Sequence, residues 1–174
     1  TRQYGEDHLK QADNFAEIQI AYAEYFADFM TEHYLDIKGG RQLDALDDID
    51  IDFDNIQTVW YWACQHQKAN IIDRMVDGYY WYQDIRGQYR EGIENLLLAE
   101  SVLKGTQDTI FHRVRIRRLR HAILASLQDD LDIDSLFESL EFVRSHDYTA
   151  EIAFCLFVIG GMYQLWEENE TSTP

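Results

Sequence analysis

A single proline, Pro174, stands at the last position of this 174-residue chain. Proline fixes φ and removes a backbone donor, so it is the strongest breaker of a helix interior. Without it, helices can run from one glycine break to the next, and no sustained apolar/polar alternation marks a strand. The chain is therefore predicted to be all-α. Hydrophobic residues make up 46% and aromatic residues 14%, which suits a folded chain with one sizeable core or a short solenoid.

Phe15, Ile18, Tyr22, Tyr25, Phe26 and Phe29 recur at three- and four-residue spacing, predicting one face of a helix that ends near Ile37, before Gly39-Gly40. Leu43, Leu46, Ile49, Phe53, Ile56, Trp60 and Ala63 trace the narrow apolar seam of a second. A third begins near Ala69, carries Ile72, Met75, Val76, Tyr79 and Tyr82, and stops at Gly87, where a left-handed backbone costs little. Tyr89, Ile93, Leu96 and Leu103 mark a fourth, with Gly105 as its stop, and a fifth spans about Thr109 to Gln128. Leu136, Phe137, Leu140 and Val143 predict a sixth, and Asp147 or Thr149 caps a seventh running to about Glu168.

The tight Arg86-Gly87-Gln88 connection makes helices three and four an antiparallel hairpin. Hairpins of roughly 35 residues favour stacking over an irregular bundle. Residues 1–67 read as an N-terminal helical pair leading into repeats over 68–174, within one continuous domain.

The formal charge of −17 disfavours nucleic acid, whose affinity comes from neutralising phosphates with Lys and Arg. Cys64 and Cys155 sit in separate apolar stretches and read as reduced, buried thiols of a cytoplasmic protein. The most apolar run, Ile152 to Trp166, is shorter than the roughly 20 residues that span a bilayer. Thr1 in place of an initiator Met reads as the start of a piece of something longer.

Gly87-Gln88-Tyr89-Arg90-Glu91-Gly92, with Leu96 and Ala99 behind it, resembles the turn and second helix of a tetratricopeptide repeat. Leu156, Ile159, Gly160 and Tyr163 fall at the spacing of the first helix of such a repeat, with Gly160 where a paired helix would approach closely. Phe53-Asp54-Asn55-Ile56, Trp62-Ala63, Arg86-Gly87, Glu91-Gly92 and Glu138-Ser139-Leu140 extend the pattern. Over roughly Tyr22 to Tyr163 it resembles the helical region that follows the nucleotide-binding core in bacterial signal-transduction (STAND-type) ATPases and multidomain transcriptional regulators.

That resemblance implies about seven helices stacked as antiparallel hairpins in a right-handed superhelix, serving as an interaction platform or sensor. Arg120 departs from it, since the repeat pattern places a small packing residue there. No G-x-x-x-x-G-K-[ST] occurs, so the phosphate cradle of an ATPase would lie upstream.

Asp130, Asp132, Asp134 and Glu141 occupy positions one, three, five and twelve of a calcium loop, with Phe137 at the apolar eighth. Ser135 replaces the turn glycine, and the helical period continues through the segment, so an acidic helix N-terminus is the favoured reading. Asp48, Asp50, Asp52 and Asp54 lack both turn glycine and twelfth-position ligand, and read as a solvated helix face. The six histidines include no H-E-x-x-H pair.

Arg113, Arg115, Arg117, Arg118 and Arg120 crowd one segment, and Arg113, Arg117 and Arg120 share a helical face. They either pair with the chain's own carboxylates or dock an acidic partner. Tyr79, Trp81 and Tyr82 either fill a core or also meet a partner on a concave face. No local constellation joins nucleophile, acid and base. The expectation is a non-catalytic protein-interaction or effector-sensing domain, without a cofactor. Its partner would be another protein or a neighbouring ATPase domain of the same chain, or a second copy through the apolar seventh helix. The alternative is a small-molecule or calcium sensor.

Overall fold

The structure is a computed structural model and describes residues 15–104, 109–125 and 133–171. These residues form seven helices and no strand: α1 (Phe15–Ile37), α2 (Gln42–Gln65), α3 (Ala69–Ile85), α4 (Tyr89–Leu103), α5 (Thr109–Leu124), α6 (Ile133–Ser145) and α7 (Thr149–Thr171). The all-α reading holds. Two compact units divide within α3, between Tyr79 and Tyr80.

Three of the turns share one backbone device. Gln67, Gly87 and Asp147 adopt φ of 52°, 67° and 57°. After each, the next amide reaches five residues back, Lys68 to Ala63, Gln88 to Gln83 and Tyr148 to Val143, at 2.8, 2.9 and 3.0 Å. This is the Schellman closure, in which one left-handed residue lets the following N–H satisfy a carbonyl that the helix end leaves unpaired.

In the first unit α1 packs on α2. The buried strip of α1 is Ala23, Phe26, Ala27 and Met30, and that of α2 includes Leu46, Ile49, Ile56, Trp60 and Ala63. This strip is rotated from the aromatic face expected for α1, since Ile18, Tyr22 and Tyr25 are 41%, 40% and 60% exposed. Alanines at the seam allow close helix approach, and Tyr22 and Tyr25 lie edge-on to Phe26, each at 5.0 Å. Leu43 also leaves the predicted seam; it lies in the first turn of α2 and is exposed. Tyr79 stacks on Trp60 at 4.7 Å, and Arg74 of α3 pairs with Glu24 and Asp28 of α1.

In the second unit α4 packs on α5, α5 on α6 and α6 on α7, and α5 also meets α7. Its core joins Ile116 and Leu119 of α5, Leu136, Leu140 and Val143 of α6, and Cys155, Val158 and Met162 of α7. Gly160, expected at a close helix contact, instead faces open space among the described residues.

Candidate functional site

The arginine row of α5 binds its own unit together. Arg115 Nε donates to Glu100 Oε1 at 2.9 Å and Arg118 Nε to Oε2 of the same carboxylate at 2.6 Å, tying α5 to α4. Arg115 also reaches Glu138 of α6 at 3.2 Å. Arg117 grips Glu151 of α7 through both terminal nitrogens at 2.9 and 3.3 Å, and Arg113 approaches the same carboxylate at 3.4 Å. Arg120 donates to the Tyr80 hydroxyl at 2.8 Å and pairs with Asp84. Planar guanidinium forks suit such shared carboxylates better than lysine would.

Arg113, Arg117 and Arg120, candidates for a partner surface, thus lie against acids of their own unit, and Arg117 is buried. Tyr79 and Tyr82 are buried, Tyr79 against Trp60 and Tyr82 beneath the Arg86 guanidinium at 5.9 Å. Trp81 is half-buried, edge-on to Tyr80 at 5.3 Å and to Phe154 at 6.5 Å. Asp130 and Asp132 lie outside the described residues. Asp134 stands in the first turn of α6, and Glu141 on the same helix pairs with exposed Arg144 at 3.3 Å. Because α6 begins at Ile133, Ser135 at the loop's sixth position is helical, where a calcium loop turns sharply.

Beside the arginines lies a buried polar cluster that the sequence reading missed. His121 and Gln83 are wholly buried, and neither imidazole nitrogen nor either amide atom has a hydrogen-bond partner among the described residues. Tyr80 stacks on the imidazole at 4.6 Å, Tyr89 lies at 5.7 Å, and Asp84 Oδ1 is 3.9 Å from Nε2. Burial, and then the charge of Arg120, lowers the His121 pKa to about 3, so the ring is neutral. Burial and the neighbouring Asp84 carboxylate push the Tyr80 phenol upward. No spacing rule marks His121 inside an arginine-rich run.

One pair has the composition of a nucleophile and base. His112 Nδ1 lies 3.0 Å from Ser139 Oγ, and the serine hydroxyl donates to the Ser135 carbonyl at 2.9 Å. The Ser135 carbonyl therefore competes with the imidazole for the hydroxyl proton. Burial, followed by Arg115, lowers the His112 pKa to about 4. Burial likewise raises the thiols of Cys64 to about 12 and Cys155 to about 11, leaving both protonated and unreactive near neutral pH.

The first unit holds two adjoining cavities, of about 190 and 70 Å³, that share Ala23 and Trp62 as walls. Lys68 and Asn70, just past the α2–α3 turn, border the larger. The Trp62 indole nitrogen is shielded from solvent and has no acceptor among the described residues. The sequence marked Trp62 through the Trp62-Ala63 element of the repeat-like pattern, and nothing there marked Lys68.

No family model matches the chain, and neither the curated proteins nor the solved structures yield a significant match. Among the described residues no group of His, Cys, Asp and Glu is arranged to hold a metal, and no helix is long and apolar enough to cross a membrane.

Proposed function

We propose that this chain is a non-catalytic helical scaffold that binds another protein, as the interaction or sensing region of a larger bacterial signalling ATPase. One observation carries the reading. The charged side chains of α5 are used in holding their unit together, while Leu156, Phe157 and Tyr163 of α7 stand 44%, 61% and 50% exposed. From Ile152 to Trp166 the helix carries no charged residue. An uncharged, aromatic-bearing helix face is the surface type that associates with protein.

Within that reading the partner is the chain's own ATPase domain, docked on the α7 face, and an effector that favours one docked arrangement shifts the balance between states. Reduced, buried thiols fit a cytoplasmic setting. Calorimetry between this chain and the ATPase domain of its full-length protein tests the proposal. Saturable binding that Phe157→Glu weakens by about tenfold, with an unchanged melting temperature, is the expected result. Absence of binding, or binding indifferent to Phe157→Glu, overturns it.

A further inference from the structure

Along α1 the residues Ile18, Tyr22, Tyr25 and Phe29 follow one another at four-, three- and four-residue steps, so they form a single stripe over about 17 Å of helix. Such a stripe is ordinarily the buried face of an amphipathic helix. Here α1 turns Ala23, Phe26, Ala27 and Met30 inward instead, and Ile18, Tyr22 and Tyr25 stand 41%, 40% and 60% exposed, with Phe29 half-buried beside them. An ordered apolar stripe is thus left facing water.

Acid borders it. Asp48 of α2 meets His33 Nε2 at 3.2 Å, one turn beyond Phe29. Asp52 stands one turn further along α2, close enough to Tyr22 that its charge, after burial, pushes the phenol upward. Glu32, three residues past Phe29 on α1 itself, is exposed. Among the described residues no Lys or Arg pairs with Glu32, Asp48 or Asp52, and Asp52 accepts from the Asn55 amide at 2.8 Å. Over residues 15–79, thirteen acidic side chains stand against four basic ones, a net charge of −9.

A second copy of this chain would bring the same acids against these, and anionic lipid or nucleic acid would be repelled. The charge that fits is positive. The shape that fits is a helix, because a stripe at three- and four-residue spacing meets the matching stripe of another helix along its length.

We infer that α1 is a docking face for a basic amphipathic helix of a partner protein. The apolar side of that helix lies on Ile18, Tyr22, Tyr25 and Phe29, and lysines or arginines at its margins meet Asp48, Asp52 and Glu32. Tyr25, the most exposed ring of the stripe, is the anchor, in keeping with the weight that tyrosine carries at the centres of interfaces. This face and the α7 face belong to different units, so the inference goes beyond the docking proposed above and does not depend on it.

The probe is a helix-forming peptide of leucine and lysine, roughly five turns long, with its leucines along one face, titrated by calorimetry at physiological salt. A peptide of the same composition whose leucines are spread around the helix carries equal charge and serves as the comparison. The ordered peptide is expected to bind saturably and at least about tenfold more tightly than the spread one. Tyr25→Lys should weaken it about tenfold, whereas Leu97→Lys, which adds the same charge at an exposed apolar residue of α4, should change little. Removing two charges by Asp48→Asn with Asp52→Asn should cost more affinity than removing two from α6 by Asp134→Asn with Glu141→Gln.

Equal binding of the two peptides, or no saturable binding at about 1 mM, overturns the inference. So does a folded Tyr25→Lys that binds no more weakly than Leu97→Lys, or an acid pair on α2 that matters no more than the pair on α6. If a variant does not fold, the comparison of the two peptides on the unaltered chain decides the matter. Failure of ATPase-domain binding would leave these titrations unchanged, so the two ideas fail separately.

Discussion

The imidazole of His121 occupies the space that a β-carbon on Gly92 would need: such a carbon would lie 2.3 Å from Nδ1 and 2.6 Å from Cε1, with Gln83 Oε1 at 3.1 Å. The ring cannot withdraw easily, because it is wholly buried and the Tyr80 ring stacks on it at 4.6 Å. Gly92 therefore sets how closely α4 and α5 approach. Overpacking of this kind costs about 1–3 kcal/mol, against a gain of ~1 kcal/mol for alanine over glycine in a helix. Gly92→Ala is expected to lower stability in urea denaturation by up to about 2 kcal/mol. Combined with His121→Ala, which removes the obstructing ring, its cost should fall well below the sum of the single changes. Simple additivity would show that the two residues do not press on each other.

Neutral His121 gives the second unit a defined response to acid. Its folded pKa of about 3 lies below the ordinary 6.5, so the unfolded chain takes up the proton first. The stability linked to this group is complete above pH 6.5 and is lost as pH falls toward 3, at up to ~1.4 kcal/mol per pH unit. His112, with a pKa of about 4, acts in the same direction. Asp84, Arg120, Tyr80 and Tyr89 surround the His121 ring, and among them Asp84 is the one carboxylate that could welcome a proton on it. Denaturation midpoints should fall between pH 7 and 5 and fall less in His121→Gln, while the His121 Cε1 proton shows no titration above pH 5. A ring that titrates near 6.5 would refute the buried, neutral placement.

Helix positions were legible because they depend on local periodicity: Leu46, Ile49, Ile56, Trp60 and Ala63 of the predicted α2 seam are all buried. The buried face of α1 was harder to read. Its aromatic residues dominate a hydrophobicity count, but small Ala23 and Ala27 make the close contact while Tyr22 and Tyr25 remain at the rim. The turns show a similar limit. Gly87 announced a left-handed residue, whereas Gln67 and Asp147 adopt the same backbone without glycine. The polar cluster of His121, Gln83 and Gly92 joins α3, α4 and α5 across sequence distances that no short motif spans. The pairing of Arg117 with Glu151 is long-range in the same way, and the clustered arginines alone left internal pairing and an acidic partner both open.

Those turns yield a graded expectation. A left-handed conformation costs a residue with a β-carbon about 1–2 kcal/mol, partly offset by the ~0.4–1 kcal/mol that glycine loses through a more flexible unfolded chain. Gln67→Gly is therefore expected to stabilise the protein by about 0.5 kcal/mol. Gly87→Ala should destabilise it by about 1 kcal/mol, since Gly87 has φ of 67° and no neighbour in the way of a β-carbon. Thermal melts of the two variants should move in opposite directions. A Gly87→Ala melt at or above the unaltered chain would mean that this turn does not hold a left-handed residue.

Carboxylates that look alike in sequence are expected to differ sharply in what they contribute. Glu151 receives both terminal nitrogens of Arg117 in a largely buried setting, with side-chain exposures of 13% and 6%. Glu141 meets Arg144 at 3.3 Å where both are open to water, with exposures of 75% and 49%. Glu151→Gln leaves a buried guanidinium without its counter-charge, and loss of one member of a buried pair costs about 3–5 kcal/mol. Some of that is recovered here because the Arg113 carbonyl still accepts from Arg117 at 3.1 Å and the Phe154 ring lies 5.0 Å from the guanidinium. A loss of about 2–3 kcal/mol is therefore expected for Glu151→Gln, against less than ~0.5 kcal/mol for Glu141→Gln. Adding 1 M salt should leave the first difference nearly intact, because ions screen a buried pair much less than an exposed one. Equal, small effects at the two positions would show that the arginine row is a solvated surface feature, available to an acidic partner after all.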